Sequence, residues 1–175
     1  MRDQGEQLVL HLPRLRRYAR ALVKDPDQAE DLVQETVARA LGRLHFWRRE
    51  TNMRAWLFTI MHNQFVNEVR RARNRPDRLP LDDRPHSEAS AACAAESCAG
   101  VQDIETALMQ LPYEQRAVLL LVSLEGLSYQ EVARVLDIRK GTVMSRLHRA
   151  RQRMRGLLNY SSEPGQPVGH IRSIR

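Results

Sequence analysis

LSYQEVARVLDIRKGTVMSRLHRARQRM, residues 127–154, contains two amphipathic segments separated by a break. Ser128 has the side chain of an N-cap and Glu131 stands three residues on. A capping box is therefore expected, each side chain satisfying an amide that the first helical turn leaves free. Tyr129, Val132, Ala133 and Leu136 follow at helical spacing, and Asp137-Ile138-Arg139-Lys140-Gly141 breaks the pattern before it restarts at Thr142. In the second segment Val143, Leu147, Ala150 and Met154 fall within about 60° of one another on a 3.6-residue wheel. Ser145, His148, Arg149 and Gln152 point roughly the other way. One face packs, and the opposite one can donate hydrogen bonds to base edges and phosphates, as the second helix of a helix-turn-helix does. A merely solvated basic face usually mixes acids among its bases. Arg146, Arg149, Arg151, Arg153 and Arg155 come with no acid between them, and the segment reads as DNA-binding.

The rest of the composition agrees. The 175 residues carry a formal net charge of +7, which implies an anionic partner. Leu, Ala, Arg, Glu and Gln dominate, only 5% of residues are aromatic, and strand-like alternation of β-branched residues is absent. Helix is expected nearly throughout. No apolar run approaches the ~20 residues needed to span a bilayer. MRDQGEQLVLHLPRLRR lacks the apolar core and small-residue site of a signal peptide, and with two cysteines a cytoplasmic location is expected. Cys93 and Cys98 sit with His86 in a Ser/Ala-rich stretch. A structural zinc site wants four ligands in a tighter pattern, so free thiols are expected, with no metal and no cofactor. There is neither a Gly-rich phosphate loop nor an Asp/Glu/His cluster at catalytic spacing, which argues against an enzyme.

The expected fold is all-α: two small helical domains joined by a flexible linker, the C-terminal one containing the helix-turn-helix. Residues 1–74 form the first domain. There Leu8, Leu12, Leu15, Tyr18, Ala19 and Leu22 make a stripe interrupted by Pro13, and Asp27 can cap a second helix. That second helix carries Ala29, Leu32, Val33, Thr36, Val37, Ala40 and Leu41. A long helix from Arg54 to Arg73 then places Leu57, Phe58, Met61, Phe65 and Val69 on one side. Residues 75–100, with Pro76, Pro80, Pro85 and the run SEASAACAAESCAG, read as the linker. Residues 101–158 form the second domain, opening with Ile104, Leu108 and Leu111. Pro112 starts a further helix that Gly126 ends, and residues 159–175 read as a disordered tail. The linker offers almost no packing surface, so the domains are expected to sample many relative orientations.

Three motifs in this order resemble a bacterial ECF (extracytoplasmic function) sigma factor, a small two-domain promoter-specificity subunit of RNA polymerase. EDLVQET, Glu30 to Thr36, is similar to the family's polymerase-binding helix. RAWLFTIMHNQFVNEVRRARNR, Arg54 to Arg75, resembles the helix facing the −10 promoter element. Leu111 to Met154 resembles the −35-binding domain. The likeness covers nearly all of the chain except linker and tail. It implies sigma region 2 in residues 1–74 and sigma region 4 in residues 101–158. Core RNA polymerase, promoter DNA and an anti-sigma factor are the implied partners, with no membrane insertion. A conventional homodimeric regulator could use the same helix-turn-helix, but would not need the first two motifs together.

Each motif also has its own chemistry. Asp31, Gln34 and Glu35 share a helix face at i, i+3 and i+4, an acidic and amide-bearing stripe suited to a basic protein surface. The resemblance implies that the surface is the clamp-helix coiled coil of the polymerase's largest subunit. Trp56, Thr59, Asn63, Asn67 and Arg70 form a polar stripe on the long helix, where amides and guanidinium groups can hold phosphates and unpaired bases. Trp56, at the stripe's border, could stack on a base or join the core. The resemblance further implies that the loop Arg48 to Met53 accepts a base flipped out of the −10 element. Arg48, Arg49, Thr51 and Asn52 can read such a base. In the second helix of the motif, many members of the family have arginine where this chain has Met144, which can contact only a thymine methyl or pack. The base readers narrow to Ser145, His148 and Arg149, with Lys140, Thr142, Arg146 and Arg153 nearer phosphates.

Overall fold

The computed structural model describes residues 2–47, 52–73 and 95–161, and these are helical throughout, with no strand among them. Three long helices come first: α1 (Arg2–Leu22), α2 (Pro26–Arg43) and α3 (Met53–Arg73), with a 3-10 turn over Leu44–Phe46 between the last two. Then follow α4 (Ala95–Met109), α5 (Tyr113–Ser123), α6 (Tyr129–Val135) and α7 (Lys140–Ser161).

Several boundaries differ from those expected. Pro13 does not interrupt α1, which runs straight through it. A proline inside a helix costs roughly 3 kcal/mol. Here it sits on the exposed side, while Leu8, Leu15, Tyr18, Ala19 and Leu22 are buried before and after it, so packing outweighs the local cost. The cap of α2 is Asp25 rather than Asp27: its Oδ1 accepts from the amides of Asp27 (2.8 Å) and Gln28 (3.1 Å). Pro26 then occupies the first helical position, where a missing amide leaves nothing unsatisfied. Leu41, expected on the packed face of α2, is 54% exposed, whereas Ala29, Leu32, Val33, Thr36 and Ala40 are buried. The Thr36 hydroxyl is satisfied by donating to the Leu32 carbonyl at 2.6 Å.

The expected linker is shorter at its far end. Ala95 to Gly100 already belong to α4, since an alanine-rich stretch has high helix propensity and here continues into a packed helix. On α4, Ala107 is buried and Ile104 is exposed. α7 continues to Ser161, three residues into the expected tail. His86, Cys93 and the rest of the linker and tail lie outside the described residues.

Within each half, neighbouring helices pack in sequence: α1 on α2 and α2 on α3, then α4, α5 and α6 around α7. The halves also touch, α1 against α5 and α3 against α6. One continuous cluster of buried apolar side chains runs from Leu8 to Leu147. Tyr18 meets Phe58 edge-on at 5.0 Å inside the first half, and Phe65 of α3 meets Tyr113 of α5 at 5.9 Å across the boundary. In this arrangement the two halves share a surface, made by the helices on either side of the linker.

The corner between α5 and α6 inserts into this boundary. Gly126 has φ +63°, a left-handed conformation that glycine adopts without a side-chain clash. It lets the Glu125 amide reach the Leu120 carbonyl (3.1 Å) and the Leu127 amide reach that of Leu121 (3.0 Å), closing the end of α5.

Candidate nucleic-acid interface

The helix-turn-helix forms as its residues dictate. Ser128 Oγ accepts from the Glu131 amide at 3.3 Å, and Glu131 Oε2 accepts from the Ser128 amide at 2.8 Å, completing the capping box. The Ser128 amide and hydroxyl hold the Glu131 carboxyl below the usual carboxylate range. Asp137, at φ 51°, makes the turn that leads to α7. There Val143, Leu147 and Ala150 are buried, with Met154 half-buried below them.

The opposite face of α7 is open. Lys140, Ser145, His148, Arg149 and Arg153 are exposed, and Thr142 and Arg146 are half-buried. Met144 is 52% exposed beside them. The Ser145 hydroxyl donates to the Thr142 carbonyl at 3.1 Å, so towards a base it is left to accept, which suits the exocyclic amine of cytosine or adenine. None of the α7 arginines has an acidic partner among the described residues. Arg146 faces the first half closely enough to act on His62 of α3. Burial, and then this charge, push His62 down to about 4, so it is neutral at pH 7.

On α3, Asn63, Asn67 and Arg70 are exposed, in line with a polar stripe. Thr59 is half-buried and its hydroxyl donates to the Ala55 carbonyl at 2.9 Å. Trp56 is half-buried and packs against the core, so it stands at the border of both roles. Arg48, Arg49 and Thr51 lie outside the described residues. Asn52 is exposed, and its Oδ1 faces the Ala55 amide at 3.4 Å in the manner of an N-cap of α3. Its Nδ2 donates to Glu131 Oε1 at 2.6 Å, which links the −10 candidate loop to the first helix of the helix-turn-helix.

Asp31, Gln34 and Glu35 are all exposed on α2, with Glu35 bonded to Arg39 at 2.7 Å. They do not stand alone. Gln64, Asn67 and Glu68 of α3 line the same groove, of about 660 Å³. Burial raises the Glu68 carboxyl above its ordinary range. Asn67, grouped from the sequence with the −10 stripe, therefore shares a groove with the acidic stripe of α2. Helical spacing within α3 could not reveal this, because the groove is made by the packing of two helices.

Residues at the boundary between the halves were missed altogether. Glu125 is fully buried, with Arg17 at 2.8 Å and Arg14 at 3.9 Å from its carboxylate. Arg54 donates to the Glu125 carbonyl at 3.0 Å, and Arg116 of α5 donates to the Leu22 carbonyl at 2.7 Å. The available signal was a lone acid between Leu124 and the Gly126-Leu127 pair, in a corner where solvent would be the ordinary surroundings. Among the described residues no group of three His, Cys, Asp or Glu is placed to hold a metal ion. No described helix is long and apolar enough to cross a membrane.

Comparison with known proteins adds to this geometry. Residues 8–62 match the family described as the Sigma2 domain of PhyR, and residues 102–154 match Sigma-70, region 4. Over 87% of its length the chain is 33% identical to the ECF RNA polymerase sigma factor EcfG of Rhodopseudomonas palustris, covering 83% of that protein. It is 35% identical, over 86% of its length, to the ECF RNA polymerase sigma factor SigM of Mycobacterium tuberculosis, covering 74% of it. Among solved structures it is similar to the sigma factor RpoE in complex with the anti-sigma factor NepR from Bartonella quintana. The TM-score there is 0.78 at 34% identity, covering 93% of this chain and 100% of that one.

Proposed function

The chain belongs to the ECF family of RNA polymerase sigma factors, and from that premise we propose how its surfaces divide the work of promoter-specific initiation. It is a DNA-binding specificity subunit, and the chemistry of RNA synthesis belongs to the core polymerase it joins in the cytoplasm. Asp31, Gln34 and Glu35 dock on the clamp helices of the polymerase's largest subunit. Ser145, His148 and Arg149 read base edges of the −35 element, while Lys140, Thr142, Arg146 and Arg153 hold its phosphates. Asn63, Asn67 and Arg70 of α3 hold the −10 strand, with Trp56 at the border of that surface. Arg48, Arg49, Thr51 and Asn52 receive the flipped base. The division keeps residues 1–74 as the −10 and docking domain and gives the −35 domain the helices α4 to α7, from Ala95 to Ser161.

The observation that carries this reading is the exposed arginine face of α7, set on a capped helix-turn-helix and free of acidic partners among the described residues. A phosphate backbone is the polyanion such a face fits. An anti-sigma factor is a further partner, supported by the complex in which RpoE is held. The test is run-off transcription with purified core polymerase, paired with a direct binding titration. Asp31→Ala with Gln34→Ala should weaken binding to core polymerase at least tenfold with helical content unchanged. Undiminished affinity would remove the docking role from α2.

A further inference from the structure

Gln64 sits on the side of α3 that meets α2, and it is only 5% exposed. Helical spacing puts Glu68 one turn on, within reach of its side chain. A carboxylate can only accept, so it is the amide nitrogen of Gln64 that donates to Glu68. That fixes which way the amide points. Its Oε1 is left buried with no donor among the described residues. A native interior seldom leaves a carbonyl oxygen in that condition, because the lost hydration is not recovered. Gln64 lines the groove between α2 and α3, so the donor it lacks can be brought from outside.

The charges around the groove say what kind of donor. Three acids line it, Asp31, Glu35 and Glu68, against two bases, Arg39 and Arg71. Arg39 is engaged by Glu35 at 2.7 Å. Arg71 acts on Glu68 more weakly than Gln64 does. All these favourable contacts together do not offset partial burial, which holds the Glu68 carboxyl above its ordinary range. An under-compensated anion thus stands beside an acceptor without a donor. A metal ion is a poor fit, since no three metal-binding side chains among the described residues come together. A guanidinium meets both needs at once. Its planar fork presents five donors in fixed directions, enough to reach the amide oxygen and the carboxylate from one position. A lysine ammonium is more strongly hydrated and gives up more water on entering a recess.

We propose that Gln64 and Glu68 form a slot for an arginine side chain of the docking partner, which makes α3 the second wall of the polymerase contact. The inference rests on the docking role given to Asp31, Gln34 and Glu35, which stand on the facing wall. Those three attract a basic surface, and the slot adds a preference for arginine over lysine at one position of it. One helix then holds polymerase with this side and the −10 strand with the side that carries Asn63 and Arg70.

Two measurements on the full-length chain test the slot. In the first, ethylguanidinium and ethylammonium are titrated separately while the Gln64 side-chain amide is followed by NMR. Its resonances should shift with ethylguanidinium, far less with ethylammonium, and with neither in Glu68→Gln. Equal responses to the two cations, or none, would overturn the proposal. In the second, Gln64→Met and Glu68→Gln are titrated with core polymerase. Each should bind about tenfold more weakly with unchanged helical content, the loss expected of one charge-assisted hydrogen bond. Glu68 is exposed, so its variant carries the test should Gln64→Met fold poorly. Undiminished affinity of Glu68→Gln would overturn the proposal as well. Selective shifts at Gln64, combined with undiminished affinity after Asp31→Ala and Gln34→Ala, would instead sink the docking role of α2 and leave the slot standing.

Discussion

In α1, Arg16 bonds Glu30 at 3.2 Å and Arg17 bonds Glu125 at 2.8 Å, whereas in α7 Arg149, Arg151, Arg153 and Arg155 stand exposed with no acidic partner among the described residues. Both helices are rich in arginine, and composition alone would treat them alike. The difference lies in what faces them. α1 packs against α2 and against the corner of the other half, each of which supplies a carboxylate. α7 turns Val143, Leu147 and Ala150 inward and, apart from half-buried Arg146, leaves its guanidinium groups to water. An arginine with a carboxylate in place helps fix the structure; a row of them without one is held ready for a polyanion from outside.

The contrast assumes that the two helices belong to one cooperative body, and the largest expected effect would come from breaking that assumption. Leu121 of α5 is fully buried in the common apolar cluster. Leu121→Ala should cost about 2–5 kcal/mol. The two tryptophans, Trp47 and Trp56, lie in the first half. Their fluorescence should nevertheless report the same lowered denaturation midpoint as far-UV circular dichroism. A fluorescence midpoint that stays put while the dichroism shifts would show two independent units.

Acid should sharpen the same contrast through the half-buried arginine of α7, since Arg146 acts on buried His62 of α3. The folded state holds His62 down to about 4 against an ordinary 6.5. The unfolded chain therefore binds the proton more readily, and stability present above pH 6.5 is lost as pH falls towards 4, by on the order of 2–3 kcal/mol. Stability of the His62→Gln variant, followed by denaturant titration across that range, should be flatter. An unchanged slope would assign the acid sensitivity to other groups.

A finer distinction runs along α7. Arg149→Ala should cost ~1–3 kcal/mol in DNA binding and relax preference at one −35 position. Arg153→Ala should weaken all sequences evenly and lower the salt slope by about 1. Equal losses on every sequence for both variants would remove Arg149 from the base readers. The smallest effect belongs to α1: a double-mutant cycle on Arg16 and Glu30, both substantially solvent-exposed, should return no more than ~1 kcal/mol. A larger coupling would mean that this surface pair, like Arg17, is part of a buried network.

Much of this was legible in the residues themselves. The capping box at Ser128 and Glu131, the packed face Val143, Leu147 and Ala150, and the open face of α7 are set by neighbours three and four positions away, which periodicity reads directly. The exposed stripe of Asp31, Gln34 and Glu35 follows from the same rule. What sequence reading missed depends on contacts between distant segments. Pro13 sits in an unbroken helix because packing on both sides holds it there. Leu41 is exposed although its neighbour Ala40 is buried, because which side of α2 is covered depends on the helices packed against it. Glu125, an acid before a glycine, has the appearance of a surface turn and is buried only because α1 and α3 meet it with arginines. No local pattern encodes the groove that joins Asn67 to the stripe on α2.

The Arg17–Glu125 contact joins residues 108 positions apart. Ribosomes add roughly 5–20 residues per second. The corner is made 52 residues after α3 ends at Arg73, so for roughly 3–10 s during synthesis α1 to α3 exist without the corner that will sit on them. Throughout that interval the grip of Arg14, Arg17 and Arg54 is empty, and Asn52 has no Glu131 to bind. Every newly made molecule is born open at the −10 surface and closes only when its last third leaves the ribosome.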